Sequence, residues 1–148
     1  MQVLLCVVAF AAGVALIVQV AVNSTLRRSL GTPMGAAFIS FLVGTAALLL
    51  FLLASRTPWP ARAQLSAVPP WAWAGGILGA YYVVATIIVG PRLGAAALLA
   101  LVVLGQLVTS LLVDHFGWLG FPEHPVTPLR LLGAVMLFGG MLLIVHRH

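Results

Sequence analysis

The chain has no lysine, one aspartate, one glutamate and one cysteine among its 148 residues. Charged side chains make up 6% of it, against roughly 25% in a soluble domain. That is too little charge to cover the surface of a water-soluble protein of this size, so a soluble enzyme is excluded. Cys6 stands alone at the start of an apolar run, which leaves no intrachain disulfide and no thiolate metal cluster; it reads as a small hydrophobe. A nucleophile with an adjacent base, a metal-ligand cluster and a phosphate-binding loop are missing as well. The expectation is therefore a protein that is not an enzyme and holds no metal or cofactor. The formal charge of +5 does not point to nucleic acid, because the arginines stand singly or in one pair between apolar runs and form no basic stripe.

What the chain has is hydrophobic sequence, 63% of it, in long uncharged intervals. A helix needs about 20 residues to cross a ~30 Å hydrocarbon core, and five intervals meet that length. Their expected bounds are 3–26, 33–54, 71–89, 93–114 and 129–145, within one transmembrane domain covering 1–148. Pro33 suits a first helical turn, and Gly90-Pro91 is expected to break the third helix and start the fourth. The N-terminal run lacks a basic leader and exceeds the length of a signal peptide's apolar core, so it is expected to stay in the mature protein as the first span. The runs lack the period-two alternation of a membrane barrel. The expected class is an all-α, multi-pass membrane protein in contact with the lipid bilayer, with Trp59, Trp71, Trp73 and Trp118 near span ends as interfacial anchors.

Five spans put the termini on opposite sides, which turns the arginines into an orientation test. Arg56, Arg62 and Arg130 fall on the N-terminal side; Arg27, Arg28, Arg92 and Arg147 fall on the other. So even a split allows insertion both ways, and two opposed copies make an antiparallel homodimer, a ten-helix bundle with inverted-repeat symmetry. The alternative is one orientation, set by Arg27-Arg28 or by a partner. A short echo between Pro33-Met34-Gly35-Ala36-Ala37 and Pro91-Arg92-Leu93-Gly94-Ala95-Ala96 carries little weight as a repeat.

With the membrane nearly free of charge, function falls to uncharged polar groups, each costly in hydrocarbon. Gln19 and Asn23 share one face of the first helix, Tyr82 and Thr86 one face of the third, and Gln106, Ser110 and Asp114 one face of the fourth, all at helical spacing. Three polar stripes suit a water-accessible cavity offering donors and acceptors to a solute, with Gln19, Asn23, Tyr82, Gln106 and Ser110 as the candidate binding residues. They equally suit interhelical glue, worth roughly 0.6 to 2 kcal/mol. The second and fifth helices, with only Ser40 and Thr45, read as scaffold. Ser40 and Gly44 with Ala36, and Gly75 with Gly79, form small-residue stripes for close helix packing. Asp114 meets the unfavourable, negative end of its helix dipole, with His115 beside it and no basic neighbour in the sequence. The two form the one candidate proton-handling pair, or else a solvated helix end.

Taken together, Gln19-x-x-x-Asn23-x-x-Leu26, Pro33-x-x-Ala36-Ala37, Phe41-x-x-Gly44, Trp71-x-Trp73-x-Gly75-Gly76, Pro91-Arg92-Leu93-Gly94, Gly105-Gln106-Leu107, Asp114-His115-Phe116-Gly117 and Arg130-x-x-Gly133 resemble the YdcZ branch of the drug/metabolite transporter superfamily. The resemblance implies a bacterial inner-membrane exporter whose relatives are five-helix units or ten-helix fusions of two inverted units, which agrees with the antiparallel, dual-topology homodimer expected from the arginines. It is similar in architecture to the small multidrug exporters, yet this chain has no acidic residue in its first helix, so their proton/cation exchange does not carry over. The expected activity is transport of small polar or amphipathic metabolites by alternating access. The alternatives are a non-catalytic membrane subunit or scaffold, and a channel.

Overall fold

The computed structural model describes residues 2–146; Arg147 and His148, two of the charged or titratable residues expected to close the last span, lie outside the described residues. Helix α1 spans Gln2–Leu30, α2 Pro33–Ala54, the short α3 Arg62–Ser66, α4 Ala74–Leu93, α5 Ala95–Phe116 and α6 Pro128–Val145. A 3-10 turn, Pro70–Trp73, leads directly into α4 and with it makes the third span, Pro70–Leu93. Five helical segments are thus long and apolar enough to cross a membrane. Their outward side chains are hydrophobic, as at Phe10, Ile77 and Leu143, which suits lipid or a protein neighbour and not water.

Two boundaries differ from expectation for identifiable reasons. Helix α1 runs four residues beyond Leu26, because arginine propagates a helix well and Arg27 and Arg28 in its last turn suit the negative end of the dipole. It stops at Gly31, whose φ of 78° is the left-handed conformation glycine adopts cheaply. Thr32 then caps α2, its hydroxyl accepting from the Gly35 N–H at 3.1 Å, with Pro33 in the first turn. Helix α4 does not break at Gly90-Pro91 but continues to Leu93, with Pro91 inside it; the break comes at Gly94, at φ 79° and ψ 159°.

Proline within a helix leaves the carbonyl four residues earlier without its N–H partner. Here that carbonyl belongs to Ile87. Arg27 donates to it from Nη1 at 3.0 Å, so an arginine read from the sequence as a topology signal also satisfies the backbone group that Pro91 strands.

The helices cluster into two units, the first ending at Gly90 and the second beginning at Pro91. The core of the first is Ala36 and Ala37 of α2 against Val83 and Ile87 of α4, with Leu26, Tyr82 and Val84 packed around it. Small residues on α2 allow this close approach. In the second unit α5 and α6 pack together, and the 3-10 turn Trp118–Gly120 folds back on α5. Gly117 ends α5 in the left-handed conformation, φ 60°.

Candidate functional site

Each unit carries a pocket lined by its polar residues. In the second unit, Gln106, Thr109, Ser110, Val113 and Asp114 form one face of α5, and Leu119 and Phe121 reach over from the following turn, around a volume of about 410 Å³. Gly105 opens it further; a Cβ there would meet nothing within 4 Å. The Ser110 hydroxyl donates to the Gln106 carbonyl at 2.7 Å, which commits its proton and leaves its oxygen an acceptor towards the pocket. With the Asp114 carboxylate, the wall is therefore richer in acceptors than in donors.

The connection beyond α5 is tied at four points. The Asp114 carbonyl accepts from the His124 N–H at 2.7 Å, and Nδ1 of His115 accepts from the Val126 N–H at 3.3 Å. Arg130 Nη1 donates to the Asp114 carboxylate at 3.4 Å and to the His124 carbonyl at 3.3 Å. Asp114 thus has the basic neighbour the sequence seemed to deny it. Asp114 ends the fourth span and Arg130 begins the fifth, so both lie on one side of the membrane, and Arg130 sits in the first turn after the Thr127 cap. Thr109, next to the Gln106, Ser110 and Asp114 stripe, also lines the pocket.

Both charges sit at the wrong ends of their helices, the carboxylate at the negative end of α5 and the guanidinium at the positive end of α6, terms of about 0.3 to 1 kcal/mol each. Pairing offsets this only in part. At 3.4 Å, with side chains 42% and 29% exposed, the bridge is longer than a tight charge-assisted bond and is worth about 0 to 1 kcal/mol.

In the first unit, Gln19 lines a smaller pocket of about 240 Å³ with Ser40, Phe41, Gly44, Thr45 and Leu48. The α2 residues read as scaffold and packing are its opposite wall, since Gly44 has open space where a side chain would project. Gly75 is likewise open, whereas Gly79 lies against the Phe41 ring, 3.7 Å from where its Cβ would be. Asn23, one turn from Gln19, is 3% exposed because burial on α1 grows towards Leu26 and the core. Tyr82 is packed against that same core, and Thr86 is buried with its hydroxyl donating to the Val83 carbonyl at 2.9 Å. Gln19 and Gln106 accordingly line different pockets, one in each unit. Among the described residues, no buried side-chain polar atom lacks a partner and no cluster of three or more metal-ligating side chains occurs.

Five helices of membrane-spanning length and composition, with polar groups gathered into pockets, define an all-helical, multi-pass membrane protein. The family described as "Putative inner membrane exporter, YdcZ" matches residues 4–143, and the chain belongs to that family. It is 29% identical over 137 residues to the inner membrane protein YdcZ of Escherichia coli (strain K12), covering 93% of this chain and 91% of that one. No solved structure matches. The chain is a multi-pass protein of the inner membrane.

Proposed function

We propose that the protein exports small polar or amphipathic metabolites, two copies inserting in opposite directions to form an antiparallel ten-helix bundle that works by alternating access. Each chain contributes its five spans as one transmembrane domain. The observation that carries this reading is the α5 pocket. Its volume of about 410 Å³ falls in the range of small-molecule sites, roughly 300 to 1,000 Å³, and its Gln106, Ser110 and Asp114 share one helical face. The family's description as an exporter supports the direction of transport, and the near-even arginine split supports opposed copies. Gln19, Asn23 and Tyr82 of the first unit are further proposed binding residues, Gln19 in that unit's own pocket.

Purified protein in liposomes tests this. Saturable solute flux that disappears in Gln106→Leu is expected. Flux rising linearly with concentration would make the protein a channel, and the absence of flux for every solute that stabilises the protein would make it a non-transporting membrane subunit.

A further inference from the structure

The α5 pocket has a chemical bias. Acceptors outnumber donors on its polar wall: the Asp114 carboxylate and the Ser110 hydroxyl, whose proton is already donated to the Gln106 carbonyl at 2.7 Å, only accept, while the Gln106 and Thr109 side chains both accept and donate. Its apolar wall is Val113, Leu119 and Phe121. The carboxylate is held from outside by Arg130, which does not line the pocket, through a long, half-exposed bridge of 3.4 Å that water and competing cations displace easily.

Two charges at the wrong ends of their helices, joined by so weak a bridge, contribute little to stability. A local rule broken without an evident packing gain marks a functional position more often than a structural one. Resting on the proposed transport reading, we infer that Asp114 is the recognition point for a cationic nitrogen on the solute, and that Arg130 occupies it while the pocket is empty. The ligand class is an amphipathic amine: an ammonium group on Asp114 and Ser110, an apolar body against Leu119 and Phe121. Because Arg130 also holds the His124 carbonyl at 3.3 Å, a solute that takes Asp114 from Arg130 frees one of the ties on the α5–α6 connection.

Three probes of similar shape separate charge from fit: 2-phenylethylamine, 2-phenylethanol and 3-phenylpropionate, cationic, neutral and anionic at pH 7. Their binding is measured by thermal shift and calorimetry on the purified full-length protein. A bond from a charged donor predicts about tenfold tighter binding of the amine than of the alcohol. Asp114→Asn should abolish the preference, bringing the amine to the alcohol's level in the same variant, and Arg130→Gln should tighten amine binding severalfold by removing its competitor. An amine no tighter than the alcohol, or an amine preference that survives Asp114→Asn, overturns the inference. If the amine shows no preference while Gln106→Leu still abolishes alcohol binding, the inference falls and the pocket of the transport reading stands. No binding by any of the three overturns the inference and removes the pocket from the transport reading as well.

Discussion

A single guanidinium can serve topology and backbone chemistry together. Arg27 marks a span end, and it also supplies the hydrogen bond that Pro91 removes from the Ile87 carbonyl. Arg27→Leu should therefore lower stability by roughly 1 to 3 kcal/mol, the cost of an unsatisfied, desolvated carbonyl. In Pro91→Ala the residue regains an N–H able to reach Ile87, so the same Arg27 change should cost much less there. A double-mutant cycle by thermal unfolding in one detergent measures that coupling, and additive effects would dissociate Arg27 from Pro91. The Gln106 and Ser110 stripe was legible because helical spacing alone puts the two on one face. Arg130 was not, because sixteen residues and a folded connection bring it to Asp114. The Asp114–His115 pair was legible only as neighbours. The structure sends the carboxylate to the pocket wall and Arg130, and the imidazole to the Val126 N–H.

At the level of helices, length and hydropathy located all five spans, because a bilayer demands long apolar segments and little else. Where helices end was harder to read. Gly90-Pro91 looked like a break, yet helix continuity survived since Arg27 repaired the lost bond, and the chain turned only where glycine could take a positive φ. On α2 the small-residue stripe has two surroundings: Ala36 lies in the core, while Ser40 and Gly44 form the wall of the Gln19 pocket. Gly44→Leu should fold normally, as the new side chain meets open space and leucine exceeds glycine in helix propensity by roughly 0.5 to 1 kcal/mol. It should nevertheless fill the pocket and abolish flux in liposomes. Undiminished flux would place the solute path away from Gln19. Gln106→Leu should remove solute-induced thermal stabilisation while preserving the dimer on size exclusion. Dissociation of the dimer would instead assign Gln106 to holding helices together.

For the molecule as a whole, the sequence carries few charges and distributes them almost evenly, so orientation depends on small terms. Adding two lysines to the α1–α2 turn should shift most copies to one orientation and reduce transport as opposed partners become scarce. Co-expression with a variant biased the other way should restore it. The proposed antiparallel arrangement would join two five-helix chains into one inverted-repeat transporter, and it can be measured directly. In a Cys6→Ala background, single cysteines at Ser29, in the last turn of α1 before the second span, and at Ser66, at the end of α3 after it, are exposed in intact cells to a maleimide that cannot cross the membrane. Opposed copies in equal number predict that each position labels to about half of its total. Complete labelling of one position with none at the other would contradict the antiparallel homodimer.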